Sequence, residues 1–463
     1  MQPEDRKLVE EAVRDQGGRV TVGDVAARTG LPPGEVQAAL NKLAADSAAT
    51  LEVSASGDIA YSFSPDFSSA IRGKSFRIRV VEPALEFSGR ALVYIARLSF
   101  GVALFASIAV ASAAIVVLMS SGSDRDRERG RGGGGGITFG GGGGGFFRPS
   151  MFDFYYLWDP FWPYGRSYYR DPEEMGLFET ITSFVFGDGD PNRDYDRKRF
   201  AALGEYIQSR GGVLTSDELI AFSDLTPREA RIAAEEPGGP HVLPALLRFK
   251  GTPEVDPDTG AILYVFPELQ TTGSKASIRR PTTAAAPAEA KYRLTRAPTG
   301  SKVLVVALGA FNFFLVATLS SMMANPAAMA QLAANGMGYV GPLLPYLQLY
   351  ALSYAAIPAV RALLNVQRNA AIAQRNEARM WAMKRVLSDP SVQRALEAAG
   401  SRAEKKLVSG DDVIYRTDSA VSEQPGSGGK KRDIELEEFD KMLREREQRR
   451  SLRSHPVAEE ESA

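Results

Sequence analysis

LSFGVALFASIAVASAAIVVLM, from Leu98 to Met119, is a run of twenty-two residues without a charge. At ~1.5 Å rise per residue a helix of that length covers a hydrocarbon layer of roughly 30 Å, and a buried core helix is rarely so long. Two further apolar runs follow, Val303 to Met323 and Tyr339 to Val360. The chain therefore reads as an α-helical membrane protein with three transmembrane helices, at 98–119, 303–323 and 339–360. The polar regions are modules hung on that anchor.

Two of those regions share one order of elements. Residues 4–16 place Leu8, Val9, Ala12 and Val13 on one helical face, and Gly17-Gly18 end the helix where a left-handed cap is needed. Thr21-Val22-Gly23-Asp24 is a capping box opening a second short helix. Leu31-Pro32-Pro33-Gly34-Glu35 opens a third, since proline is tolerated where helix amides have no partner. Alternating residues 50–53 and 59–63 then form a hairpin. Three short helices and a two-stranded wing are the order of a winged helix, assigned to residues 1–67.

At a constant offset of 194 the same signals return. Gly211-Gly212, Leu214-Thr215, Glu218-Leu219 and Leu225-Pro227-Glu229 stand on Gly17-Gly18, Val20-Thr21, Asp24-Val25 and Leu31-Pro33-Glu35. Gly260, Ile262, Tyr264 and Phe266 match Gly57, Ile59, Tyr61 and Phe63 after nine extra residues placed around Pro237-Gly238-Gly239-Pro240. The expectation is an internal repeat, two small α+β winged-helix-like domains at 1–67 and 194–272. Val9, Val13, Val25 and Leu40 should be buried in the first, and Leu203, Ile207, Leu219 and Ile232 in the second.

The remaining segments are a basic juxtamembrane stretch at 68–97, a Gly-rich and aromatic linker at 120–170, and an amphipathic helix at 171–187. That helix should lie on a bilayer or against the second module, with Leu177, Phe178, Ile181, Phe184 and Val185 on one face. A basic linker follows at 273–302, and a helical, partly disordered tail fills 361–463. The glycines of 132–145 lack the lysine of a phosphate-binding loop. The aromatic run Phe146 to Tyr169 reads as an interfacial belt, with a partner-docking surface as the sharper alternative.

Charge and composition exclude much. Residues 1–66 hold eleven acids against six cations, a net of −5 (6 − 11), so the first module has little with which to displace counterions from phosphate. Nucleic acid is unlikely as a partner on that ground, and protein docking is the expected use of both modules, beside membrane lipids around the spans. With no cysteine and two histidines, His241 and His455, the chain has no Cys/His zinc pattern. No nucleophile–base motif occurs, so the sequence names no catalytic, cofactor or metal residue, and His241 in its Gly/Pro-rich insertion needs no role. The oxygens of Asp188 to Asp196 suggest a calcium loop, but Arg193 and Arg199 occupy positions that need Gly and Glu. A turn capping the next helix is the preferred reading.

The Leu177 to Asn192 block, LFETITSFVFGDGDPN, with the aromatic Asp159-Pro160 stretch before it and the Arg375-Asn376-Glu377-Ala378-Arg379 helix after the spans, resembles an uncharacterised family of multi-pass membrane proteins from cyanobacteria and plant chloroplasts. The resemblance implies a thylakoid, envelope or cyanobacterial membrane and no activity. Some members carry an iron–sulfur-assembly label, for which this chain has no thiolate. The expected function is a membrane-anchored docking scaffold or assembly factor; the alternative is a membrane-tethered DNA-binding regulator. Loop 324–338 has no Lys or Arg and belongs on the outer face, with arginines holding both flanks inside. Three ordinary crossings, the preferred reading although both flanks of the first span are basic, then put Met1 outside as well and keep the two modules from touching; a re-entrant or surface-lying first span would leave them together.

Overall fold

The structure, a computed structural model, describes residues 3–67, 82–120, 175–273 and 286–419, with Gln424 and Lys441. Most of the 120–170 linker, residues 68–81 and 274–285 of the two basic segments, and nearly all of 420–463 lie outside the described residues. The chain is mostly helical with small sheets. It divides into two units, one of 1–83, 192–289 and 373–463, the other of 84–191 and 290–372.

In the first unit α1 (Pro3–Asp15), β1 (Arg19–Thr21), α2 (Val22–Thr29), α3 (Pro33–Ser47), β2 (Thr50–Ser54) and β3 (Ile59–Ser62) follow in order. Gly17 and Gly18 take φ of 80° and 84°, which only glycine adopts without strain. The Thr21 hydroxyl accepts from the Asp24 amide, and Asp24 accepts from the Thr21 amide at 3.0 Å, closing the capping box. Each bond satisfies an amide that the first turn leaves orphaned. β3 lies between β1 and β2, both antiparallel to it.

The central segment builds α6 (Tyr195–Ser209), β4 (Val213–Thr215), α7 (Ser216–Ile220), α8 (Pro227–Glu235), α9 (Leu243–Phe249), β5 (Thr252–Val255), β6 (Ile262–Val265) and the short β7 (Thr271–Thr272); α4 (Glu82–Ser120) and α5 (Leu177–Phe186) belong to the second unit. Its bonds repeat the first segment's. Gly18 bonds to the Val13 carbonyl and Gly212 to that of Ile207; Phe63 bonds to Gly18 and Phe266 to Gly212. Thr215 and Glu218 close the same box, and β6 lies between β4 and β5.

The nine extra residues do not sit together. Ala48 and Lys250 are both left-handed and bond back to Ala44 and Leu246, so the offset there is 202. At Tyr61 and Tyr264, which pair with Val20 and Leu214, it is 203. Eight residues therefore enter the third helix, breaking it into α8 and α9, and the ninth enters the wing turn.

Val9, Val13, Val25 and Leu40 are buried, as are Leu203, Ile207 and Leu219. Ile232 is not: it is 48% exposed, while Ala230 and Ala233 face the core. At 100° per residue, position 232 points away from 230, and at offset 194 it stands on Ala38, which is exposed too.

The region expected as a tail belongs to this unit. After the second unit, α12 (Val340–Ser388) ends in it, and α13 (Pro390–Arg402), β8 (Lys406–Leu407) and β9 (Val413–Arg416) follow. β9 pairs antiparallel with β2 and β8 pairs parallel with β7. β2 is thereby covered, whereas every residue of β5, the corresponding edge, is exposed. Pro253 lacks an amide there, which blunts the edge against added strands.

The second unit contains α4 (Glu82–Ser120), α5 (Leu177–Phe186), α10 (Thr299–Met323), α11 (Pro326–Ala334) and the first part of α12. Three helices, Ile95–Ser120, Thr299–Met323 and Val340–Ser388, are long and apolar enough to cross a membrane. α4 and α10 run side by side: Ser107 donates to Asn312 at 2.7 Å, and Gln331 of α11 donates to the carbonyls of Val117 and Leu118. The expected loop 324–338 thus carries its own helix. α5 lies against the middle of α4, where its uncharged run begins, Phe178 against Gly101 and Phe105 and Phe186 edge-on to Phe100, and makes no part of the second module. Gly101 and Leu118 are roughly 26 Å of helix apart.

Candidate functional site

The two helix-and-wing segments are joined helix to helix. α2 lies on α6 so closely that a Cβ on Gly204 would stand 2.7 Å from the Ala27 Cα, and one on Gly30 2.5 Å from the Ala201 amide. Ala26, Ala27, Leu203 and Ile207 fill the seam. Arg28 bridges Asp15 and Glu205, and Arg248 donates to the Gly30 carbonyl at 2.7 Å. Asp24, fully buried, accepts from the Thr21 amide, from Gly273 at 2.8 Å and from Gln208 Nε2 at 2.7 Å. One carboxylate thus closes a local cap and holds the second segment. The expectation that a membrane separates these modules is corrected by this joint. Charge counting along the chain carries no information on a contact of this kind.

Glu218, also buried, is satisfied within its own segment by the Thr215 amide and hydroxyl, the Tyr206 hydroxyl at 2.5 Å and Arg210. Burial, followed by the Glu218 charge, drives the Tyr206 phenol far above its ordinary range, so it stays a donor.

A second cluster ties the end of α12 to the central segment. Arg379, 5% exposed, donates to the Ser223 carbonyl, to Asp224 at 2.6 Å and to Asn376, lies 2.9 Å from Glu289, and stacks over Tyr195. Arg375 takes both Glu289 oxygens at 2.7 and 2.5 Å, and Arg199 pairs with Asp224 and Asp196. Burial pushes the Glu289 carboxyl up, but the bonds from Arg375 and Arg379 outweigh it and hold its pKa below the usual range. Burial raises the Tyr195 phenol to about 12, and its hydroxyl donates to the Pro287 carbonyl. The charges neutralise one another, so the cluster is a clamp between three chain segments.

The outward faces remain for contact with other molecules. α3 exposes Glu35, Gln37, Ala38, Asn41 and Lys42. α8 exposes Arg228, Glu229, Arg231, Ile232 and Glu235. Neither face concentrates cations.

His241 is buried in the insertion, its Nε2 2.8 Å from the Ser216 hydroxyl. It pins the broken third helix to the second, a role the sequence reading did not assign. Desolvation lowers its pKa, so the ring is neutral near pH 7. The acids of the 188–196 loop are engaged by protein donors: Asp188 by the Arg296 amide, Asp190 by the Tyr292 hydroxyl, Asp194 by Arg197 and Asp196 by Arg199. Asp194 stands at the N-cap of α6 without a side-chain capping bond, so the expected cap is replaced by its ion pair. Among the described residues no group of three or more His, Asp or Glu is arranged to hold a metal.

The sequence reading missed Asp24, Gly204, Glu289 and Arg379 as organising residues. Asp24 was visible only as a capping residue, and Arg379 only as part of the 375–379 motif.

The chain is similar to the "Uncharacterized protein At5g03900, chloroplastic" of Arabidopsis thaliana, 37% identical over 457 residues that cover 96% of this chain and 83% of that protein. This chain belongs to the family of that plant protein. The similarity extends well beyond the regions on which the resemblance was first seen. No family model matches the chain. No solved structure matches it.

Proposed function

We propose that this chain is a membrane-anchored protein-docking scaffold or assembly factor of a chloroplast membrane, displaying a fused pair of winged helices on one membrane face. The location rests on the chloroplastic relative together with the three apolar helices. The winged-helix reading and its duplication rest on the order of elements and on the bonds repeated at offsets of 194, 202 and 203.

The observation that carries docking is the joint itself. It spends α2 and α6 on each other and leaves α3 and α8 facing outward, with mixed charge and an exposed Ile232. An exposed aliphatic ringed by charges suits a protein partner, because apolar burial supplies affinity and the rim supplies register. A phosphate backbone requires a cationic face instead.

Because the modules are joined, both lie on one side of the membrane. α4 then leads away from that side, and α10 with α12 forms a hairpin whose turn, α11, lies on the far side.

A photo-crosslinking residue at Ile232 of the full-length chain in chloroplast membranes tests the docking. One discrete protein adduct, absent when the same residue replaces Asp258 on the wing, is expected. Tight, salt-sensitive DNA binding by the detergent-purified full-length protein, with no adduct, would favour a tethered DNA-binding regulator.

A further inference from the structure

A cavity of about 450 Å³ opens in the unit of apolar helices, lined by Arg97, Leu98, Phe178, Glu179, Asp188 and Arg296 among others. Arg97 stands immediately before the uncharged run of α4, and Arg296 three residues before α10. Since α4 and α10 run side by side in the same direction, with Ser107 level with Asn312, both arginines mark the same end of the helices. In a bilayer that end lies at headgroup depth.

Neither guanidinium is paired with an acid among the described residues. Arg296 is exposed and Arg97 half-buried, so both can reorient toward a ligand. Of the two acids, Asp188 already accepts from the Arg296 amide at 2.8 Å, and Glu179 is exposed. A third arginine supports the floor. Arg361 donates to the carbonyls of Phe184, Val185 and Leu294, and a Cβ on Gly187, which also lines the cavity, would collide with it. Arg97 and Arg296 thus share the lining with two acids, Glu179 and Asp188, and Arg361 beneath the floor adds a third cation. The rest of the lining combines the hydroxyls of Thr182 and Ser183 with an apolar side of Leu98, Met175 and Phe178, which continues along α4 where Phe178 packs on Phe105.

We propose that this cavity holds the anionic headgroup of a bilayer lipid, a phosphate or sulfonate between Arg97 and Arg296, with an acyl chain along Leu98 and Phe178. The volume suits a headgroup, and basic pockets between membrane helices recognise such groups by charge. The site rests on the membrane reading of the apolar helices, so the test keeps the two apart. Alkaline extraction of membranes asks first whether the protein stays with the bilayer; release into the soluble fraction would sink the membrane reading and the site with it.

For the retained protein in mild detergent, phosphatidylglycerol and phosphatidylcholine of equal chain length are titrated while native mass spectra and melting temperature are recorded. One equivalent of phosphatidylglycerol should be retained and raise the melting temperature, with at least ten-fold weaker retention of phosphatidylcholine. R97Q/R296Q should lose that preference, and R97K/R296K should keep most of it. Equal retention of both lipids by the unmodified protein, which needs no variant to fold, would overturn the proposal. So would an unchanged preference in a folded R97Q/R296Q, or displacement of the lipid by millimolar inorganic phosphate, which would mark a site for small anions.

Discussion

Replacing Gly204 by valine tests the joint where it is tightest. The first added carbon already stands 2.7 Å from the Ala27 Cα and 2.9 Å from its carbonyl oxygen, both backbone atoms of α2. No rotamer relieves that, so the helices must part. Overpacking of this kind costs about 1–3 kcal/mol, and valine adds two methyl groups to a contact already too short. Valine's better helix propensity returns only ~0.5 kcal/mol. The expected net loss is therefore about 2–3 kcal/mol, or roughly 5–10 °C of melting temperature for a unit of this size. Gly34→Ala is the control, since a Cβ there meets nothing within 4 Å. It should be neutral or stabilise by up to ~1 kcal/mol. Both are read by thermal unfolding of the full-length protein in detergent, followed by circular dichroism. Valine tolerated at 204, or an equal loss at 34, would refute a close-packed joint.

Three further outcomes follow from the same geometry. His241 has a folded pKa below its unfolded value of ~6.5, so stability is complete above pH ~6.5 and falls by up to ~1.4 kcal/mol per unit as pH drops below it; His241→Asn should flatten that slope in urea titrations between pH 5 and 7.5. Glu289 has the same sign in a more acid window: its folded pKa is lowered, so its contribution is present above pH ~4.3 and lost as acid protonates it, and Glu289→Gln, which leaves buried Arg379 short of an acid, should cost about 3–5 kcal/mol at pH 7. Ending the chain after Ser409 removes β9 and the bonds of Leu51 and Ala55 to Thr417 and Asp412, so hydrogen exchange at Leu51 should accelerate to that of an open edge while amides of β6 stay protected.

How much was legible in the sequence depended on the range of each interaction. Gly17-Gly18, the Thr21–Asp24 box and their counterparts at 211–218 are local, and each element they open lies where its residues said. The joint is not local. Asp24 reaches Gln208 and Gly273, and Gly204 matters only because Ala27 is opposite, neither of which periodicity reveals. β9 is four residues long and acquires strand character only by pairing with β2. The one misplaced core residue, Ile232, was chosen for its hydrophobicity across a helix that the insertion had already broken at 236–242. That the two modules touch was not legible either, because arginine counting weighs each apolar run by itself and says nothing of long-range bonds such as that of Gln208 to Asp24.

The central claim is that the N-terminal and central segments form one body on one face. The chain has no native cysteine, so single cysteines at Ser56, Asp258 and Ala330, all exposed, can be labelled cleanly with a membrane-impermeant maleimide in oriented membranes. Positions 56 and 258 should label from the same side and position 330 only from the other. Labelling of position 56 together with 330, and not with 258, would contradict the account.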